Sequence, residues 1–343
     1  MERMPKRHSF RNALESLRIA YTEGEAEDLH DAYVNAGAYS RFLAVAFLLL
    51  EPVYPVRRFL SLAAGLEASM AKHGLHTGCQ QILSELSIPW ECYISQSVKE
   101  IAETAPVLFF GNHPSLFTPF LTAASINRED FRFFSTKYVC NLLPSMGAAS
   151  FPMEVPLRRS WIEWRRGGWQ RALIYRLISL VHDMPSAEEV RASNRRSIVE
   201  GADYIRQGGS AVICPGGGGK KKDRRWYAGI GSLVKQLQQT PSGKPAYLLP
   251  FHEENCSNKR MYAHIQNGPV SRFKNAVLYR GPIRVRFAEP IPISDIGDPE
   301  STAQQVVDLL KTYYESLFFG TGDRFNLVSA GRLDGLRISS GCG

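Results

Sequence analysis

The sequence predicts an α/β fold, a mostly parallel sheet flanked by helices, preceded by an N-terminal helical segment. Three observations lead there. From about residue 86 onward, short β-type runs alternate with helical ones, the pattern of strands joined by crossover helices. One such run, Ser210 to Cys214, passes directly into Pro215 and four glycines, as strands do at a ligand-facing sheet edge. The first seventy or so residues show no strand alternation at all. A chain of 343 residues, 44% hydrophobic and 22% charged, is long enough for one large α/β domain with an added segment, and is not composed like a disordered, collagenous or coiled-coil protein.

Taken in order, residues 1–84 read as a helical segment. The apolar run Phe42 to Leu50 stops at Glu51-Pro52, and after Pro55 and Arg57-Arg58 the stretch FLSLAAGLEASMA resumes the helical pattern. Two helices joined by a Pro-marked bend follow from this, either packed on the main domain or lying in a membrane interface with their arginines at the headgroups. Residues 85–320 form the α/β domain. Ile88 to Ile94 and Val107 to Phe110 read as strands, with weaker ones at Asp130 to Ser135 and Ala148 to Val155. Val190, Ile198, Ala202 and Ile205 share one helical face, and Gly208-Gly209 ends that helix. Strands follow at Ser210 to Cys214, Tyr247 to Phe251 and Ile283 to Phe287. The last helix opens at Asp298-Pro299-Glu300 with Asp298 as N-cap, and buries Val306, Leu310, Tyr313 and Leu317. Residues 321–343 read as a flexible Gly- and Ser-rich tail.

Lys plus Arg total 41 against 33 Asp plus Glu, a formal charge of +8 that favours anionic partners. No nucleic-acid motif accompanies it, so phospholipid surfaces, acidic carrier proteins and nucleotide-bearing co-substrates are the partners expected, not nucleic acid. The six cysteines show neither Cys-x-x-Cys pairs nor zinc spacing, so no metal site or disulfide framework is expected, and a cytoplasmic setting is. The N-terminus lacks the apolar core of a secretory signal, and Phe42 to Leu50 is far short of the ~20 residues that span a bilayer, so membrane contact is expected to be peripheral.

The chemistry concentrates in Val107 to Phe120, VLFFGNHPSLFTPF. A buried strand ends at Gly111-Asn112 and is followed at once by His113, at the carboxyl edge where α/β proteins carry ligand chemistry. A neutral imidazole there can take the proton of an attacking hydroxyl, or can simply brace a strand-to-helix turn. The segment resembles the first motif of the glycerol-phosphate and lysophospholipid acyltransferase family: Asn-His, often followed by Pro-Ser, with an Asp five residues after the His. Asn112, His113, Pro114, Ser115 and Pro119 match, and Thr118 stands at the aspartate position. Further landmarks follow in the family's order over about residues 85 to 318: Lys137, Pro144, Gly147, then VPLRR ending in Arg158-Arg159. CPGGGGKKK stands where the family has Phe-Pro-Glu-Gly-Thr-Arg-Ser, with Gly216 replacing the glutamate and Gly218 the threonine. YLLPFH supplies the apolar strand ending in Pro250, and RVRFAEPIPI the closing strand.

The resemblance implies a glycerol-phosphate acyltransferase-like sheet and transfer of a fatty acyl group from acyl-CoA or acyl-carrier protein to a hydroxyl or amine acceptor. It implies catalytic roles for His113 as general base and Thr118 at the orienting position. Substrate binding would fall to Asn112, Ser115, Lys137, Arg158, Arg159, Gly216, Gly217, Gly218, Gly219 and Lys220, with no metal and no bound cofactor. Thr118 carries no charge to offset a developing imidazolium, and loss of the analogous carboxylate in hydrolase triads costs about 10⁴ in rate. Glu154, Glu253 and Glu254 are the available substitutes. Consecutive glycines followed by lysines also suit an anion on physical grounds, since unobstructed backbone N–H groups can turn toward it. Cys214 is readable as a small core residue or as an acyl-accepting thiol. The stretch RRSWIEWRRGGWQRALIYR fits a headgroup interface, an acidic carrier protein or an ordinary helix with solvated arginines. Two rival readings of the chain remain at this level: a catalytically silent relative that binds acyl lipid or carrier protein, and a thioester hydrolase.

Overall fold

A computed structural model of the chain describes residues 10–24, 26–52, 55–154, 185–216, 225–239, 244–298 and 300–319. The Arg-Trp stretch, Arg158, Arg159, Gly217, Gly218, Gly219, Lys220 and the tail lie outside them. The chain divides into two compact units, Met1–Lys72 with Ser135–Asn194, and His73–Phe134 with Arg195–Gly343.

The first unit is mainly helical. Helices α1 (Phe10–Glu23), α2 (Ala26–Tyr39) and α3 (Arg41–Leu50) pack with the start of α4 (Val56–Glu85) around Ala13, Leu17, Tyr21, Leu29, Tyr33, Leu43 and Leu60. The Pro-marked bend is present between α3 and α4, but two further helices precede it, which the sequence reading did not separate. The Ser40 hydroxyl accepts the Leu43 N–H at 3.4 Å and caps α3. Tyr33 stacks on Phe47 at 4.1 Å, whereas Val45 and Leu48 on the opposite side of α3 are exposed. Short helices α7 (Lys137–Leu142) and α8 (Pro144–Ala148) and strand β4 (Ser150–Met153) complete the unit, with the Ser145 N–H donated to Glu67 at 2.9 Å.

Helix α4 breaks at Gly74, whose φ of 82° lies in the left-handed region. The Glu129 carboxylate accepts the Leu75 N–H at 2.9 Å and occupies the space a Cβ at Gly74 would need. The helix therefore restarts with a side-chain cap in place of the missing intrahelical partner.

The second unit holds the sheet. Its strands are β1 (Trp90–Tyr93), β2 (Val107–Gly111), β3 (Phe131–Thr136), β5 (Ser210–Ile213), β6 (Tyr247–Glu254), β7 (Ile283–Phe287) and the short β8 (Ile291–Pro292). They run in the order β1-β7-β6-β2-β5-β3, with β8 also on β6. β6, β2, β5 and β3 are mutually parallel; β7 and β8 are antiparallel to β6, and β1 is parallel to β7. This is the mostly parallel, helix-flanked α/β fold that the alternation predicts.

β2 is central and apolar throughout, with all of Val107 to Gly111 buried, because a parallel strand covered on both faces has no solvent side. β7 instead alternates, burying Ile283 and Val285 and exposing Arg284 and Arg286. The covering helices are α5 (Gln96–Thr104), α6 (Thr118–Ser125), α9 (Ala187–Arg206), α10 (Gly229–Gln239), α11 (Asn258–Gln266), α12 (Pro269–Leu278) and α13 (Ala303–Phe319).

On α9 the predicted face of Val190, Ile198, Ala202 and Ile205 is buried, and the helix ends at Gly208 with φ 105°. The start of α13 corrects the sequence reading. Thr302, not Asp298, caps it: the Thr302 hydroxyl accepts the Gln305 N–H at 3.3 Å and Gln305 Oε1 accepts the Thr302 N–H at 2.7 Å, a reciprocal capping box. Asp298 instead accepts the Glu300 N–H at 2.9 Å in the preceding turn.

Candidate functional site

The register aligns the carboxyl ends of three parallel strands. Phe110 of β2 pairs with Ile213 of β5 and Pro250 of β6, and Gly111 pairs with Phe251. Just beyond these pairs stand Asn112 and His113, Cys214, and the His252-Glu253 end of β6. The approach of β2 and β6 is so close that a Cβ on Gly111 would meet the Phe251 carbonyl oxygen at 2.3 Å.

Past Gly111 the backbone ladder between β2 and β6 gives way to a side chain. Asn112 Nδ2 donates to the Glu253 carbonyl at 2.9 Å and Asn112 Oδ1 accepts the Glu253 N–H at 2.8 Å. The amide thus imitates a peptide group and holds the end of β6 in register with the turn that carries His113. The imidazole is half-buried. Pro114 and Ser115 lead into α6. Ser115 is 2% exposed; its hydroxyl accepts the Phe117 N–H at 3.1 Å and lies 3.1 Å from Cys256 Sγ. The Leu116 N–H is accepted by Asn258 at 2.8 Å.

Thr118, five residues after His113, is the first residue of α6 and fully buried. Its hydroxyl donates to Glu253 Oε2 at 2.8 Å. The position where the resembled family carries a carboxylate is therefore hydrogen-bonded to a carboxylate from another strand. Glu253 is 3% exposed, and burial raises its pKa to about 8, against the smaller opposing effects of the Thr118 and Cys256 hydrogen bonds. Oε1 of Glu253 is buried without a hydrogen bond of ordinary geometry to any described residue. At neutral pH this group is mostly protonated, a state that an adjacent positive charge would reverse.

On the opposite face of β6, His252 is buried with Nδ1 2.5 Å from the Tyr314 hydroxyl, and its ring stacks on Phe318 at 5.1 Å. Burial, with Arg286 adding a smaller repulsion, lowers its pKa to about 4, so it stays neutral. Neither His252 nor its tyrosine partner was singled out by the sequence reading. The cue available there was the strict alternation after Pro250, which puts His252 and Glu253 on opposite faces.

Cys214 has its thiol raised well above the usual range by burial and by the nearby Glu253 charge, and its S–H points to the Asn112 carbonyl at 3.7 Å. A thiol in that state is a poor nucleophile. Cys256 is likewise raised, first by burial and then by Glu253. Gly216 is described and unstrained: a Cβ there would touch only Trp226 ring atoms, at 3.6 Å. Lys137 belongs to the first unit, where its ammonium is 3.0 Å from the buried Glu154 carboxylate, and Asn194 holds the Glu154 backbone N–H at 2.7 Å. Glu154 is therefore committed to an ion pair, and Glu254 to Arg286 at 3.3 Å, which leaves Glu253 as the carboxylate joined to the histidine segment. Among the described residues no group of His, Cys, Asp and Glu has the arrangement of a metal site, and no helix is long and apolar enough to cross a membrane.

No family model and no curated protein matches the chain. Among solved structures it is similar to the crystal structure of the 1-acyl-sn-glycerophosphate (LPA) acyltransferase PlsC from Thermotoga maritima, with a TM-score of 0.35 and 12% identity over 82% of this chain and 90% of that one.

Proposed function

We propose that the protein is an acyltransferase that moves a fatty acyl group from acyl-CoA or acyl-carrier protein to a hydroxyl or amine acceptor, with His113 as general base and Glu253 as the carboxylate that supports it. The observation that carries this reading is the Thr118 to Glu253 hydrogen bond of 2.8 Å at the carboxyl end of β2, beside the Asn112 clamp that fixes the His113 turn. Thr118 carries no charge of its own and donates its hydroxyl to a buried carboxyl, which supports the reading.

A ring nitrogen of His113 takes the acceptor's proton as the acceptor's oxygen or nitrogen attacks the thioester carbonyl. The new bond to the acyl carbon forms, the C–S bond breaks, and the imidazolium returns the proton to the leaving thiolate. Glu253 acts through Thr118 and the shared backbone as a positioning residue. Because burial raises its pKa to about 8, Glu253 holds its proton at neutral pH and acts there as the hydrogen-bond partner of Thr118; only the fraction already ionised, which grows toward pH 8, offsets part of the imidazolium charge. Thr118 transmits the geometry, and Asn112 and Ser115 hold the turn. The loop from Gly216 through Gly217, Gly218 and Gly219 to Lys220 is proposed as an anion-holding group for donor or acceptor phosphate; Lys137, Arg158 and Arg159, of the first unit, are proposed separately as anion-binding residues.

The test uses purified full-length protein with labelled acyl-CoA and acyl-carrier protein over a panel of lipid hydroxyl and amine acceptors. His113→Ala is expected to abolish transfer. Glu253→Gln is expected to slow it and to remove from the kcat/KM profile an ionisation near pH 8. Transfer undiminished in His113→Ala refutes the mechanism, and a wild-type pH profile in Glu253→Gln removes Glu253 from it. Release of free fatty acid with no acceptor present identifies water as the acceptor and the protein as a hydrolase.

A further inference from the structure

Helix α12 is turned inside out. Ser271 is its only buried residue, and the face it presents to the protein is polar: the Ser271 hydroxyl donates to Gln266 Oε1 at 3.0 Å, and Asn275, one turn on, buries its Oδ1 without a hydrogen-bond partner among the described residues. The apolar residues point outward. Val270 and Phe273 are each 67% exposed, Leu278 66% and Val277 41%. At ~100° per residue, Val270, Phe273 and Val277 fall within about 60° of arc, opposite Ser271 and Asn275. This is the reverse of an ordinary surface helix, whose apolar stripe faces the core.

From Asn267 to Phe287 the sequence has Arg272, Lys274, Arg280, Arg284 and Arg286 and no carboxylate. Arg284 and Arg286, on β7, face Glu91 and Glu254, which leaves Arg272, Lys274 and Arg280 as the cations of the helix itself. Lys274 borders the apolar arc about 40° from Val270, Arg272 lies farther round with its Nε donated to Asn267 at 3.0 Å, and Arg280 lies just past the helix end. An aliphatic and aromatic stripe with cationic margins matches the boundary of an anionic bilayer, with acyl chains beneath phosphates. A second copy of the chain would bring the same positive margins, and another +8, against it.

The helix is held at the same sheet edge as His113. Asn255, directly after β6, donates Nδ2 to the carbonyls of Arg280 at 2.9 Å and Pro282 at 3.1 Å, and the buried Arg260 donates to the Asn255 carbonyl at 2.8 Å and to Gly281 at 2.7 Å. β7 then begins opposite Glu254, so the loop leaving α12 is fixed at the carboxyl end of β6.

We infer that α12 is a membrane-docking helix that seats Val270, Phe273 and Val277 in an anionic phospholipid surface. The inference rests on the outward apolar face and its cationic margins, not on the acyl-transfer reading.

The test is co-sedimentation of the full chain with vesicles of equal parts phosphatidylcholine and phosphatidylglycerol, with phosphatidylcholine vesicles as control, joined to hydrogen exchange over residues 268–280. Wild type is expected to sediment with the anionic vesicles and to gain exchange protection across α12. Phe273→Ser/Val277→Ser, at exposed positions that leave the thermal midpoint unchanged, is expected to lose roughly tenfold in partitioning. Lys274→Glu is expected to lose less, with the difference vanishing at high salt. The inference is overturned if wild type does not sediment, if it sediments without protection of α12, or if the double variant partitions like wild type. Protection of α12 by self-association or by an acidic carrier protein alone, without lipid, also overturns it.

Discussion

Replacing Glu253 by Gln removes one proton-binding site whose environment sets a measurable slope of stability against pH. The folded-state pKa is about 8 and the ordinary value 4.5, so between those limits the folded protein holds a proton that the unfolded chain has released. Stability from this group is therefore fully present below pH 4.5 and is lost as pH rises toward 8. Between pH 6 and 8 the loss is about 2 kcal/mol, at 1.36 kcal/mol per pKa unit and with half-ionisation reached near the upper end. His252 contributes with the opposite sign: its folded pKa of about 4 lies below the ordinary 6.5, so it adds stability as pH rises through that window. Over pH 6 to 8 that gain is about 1 kcal/mol, and it is common to wild type and variant. The cysteines with raised values enter only above pH 8, where unfolded thiols begin to ionise.

Urea unfolding at pH 6 and pH 8, followed by a probe in the second unit such as Trp226, is expected to show wild type falling by about 2 kcal/mol relative to Glu253→Gln across the interval. The comparison of slopes is insensitive to a constant offset, including any penalty for a buried amide N–H₂ where Oε1 now lacks a partner. Parallel slopes would refute the claim that the carboxyl is buried with a raised pKa, and with it the proposed ionisation beside His113.

Gly111→Ala is expected to cost about 3 kcal/mol or more, because its Cβ falls 2.3 Å from the Phe251 carbonyl oxygen between two paired strands; the shift in urea midpoint measures it. Asn112→Ala removes both hydrogen bonds to the Glu253 backbone and should cost about 1–3 kcal/mol, with activity falling further than stability if the His113 turn loosens. Gly216→Glu, which restores the glutamate of the resembled motif, should leave the thermal midpoint nearly unchanged because the new Cβ meets only Trp226 at 3.6 Å. Cys214 and Cys256 should resist alkylation in the native protein at neutral pH and react after unfolding; native-state alkylation of Cys214 with loss of transfer would restore the thiol as a nucleophile.

The sheet was readable because its strands carry their burial in their composition. VLFF and AVI are unbroken apolar runs, and they lie in β2 and β5, where every residue is buried. The N-cap of α13 is ambiguous in sequence because Asp298-Pro299-Glu300 satisfies the usual signal, while the competing Thr302-x-x-Gln305 box lies one turn later and has the reciprocal bonds. Helices α1 and α2 were not separated because their common core is assembled from Tyr33, Leu17 and Leu60, none of which belongs to a long apolar run.

Glu253 is legible in the sequence only as one of three candidate carboxylates, and the reason lies in β6. By composition that strand ends at Phe251, where HEEN turns polar. In the fold it runs to Glu254, because past Phe251 it pairs with β7, Phe251 facing Phe287 and Glu254 facing Arg284. Its outward charge is matched there by Arg286, while alternation sends Glu253 inward beneath α6. A carboxylate 135 residues from Thr118 in the chain thus arrives at its hydroxyl. An isolated carboxylate would be too costly to bury there; this one stays because it keeps its proton, accepts the threonine O–H and has its backbone clamped by Asn112. The same three features fix the carboxyl beneath Thr118, so the burial of Glu253 and the neutral threonine at position 118 have one physical explanation.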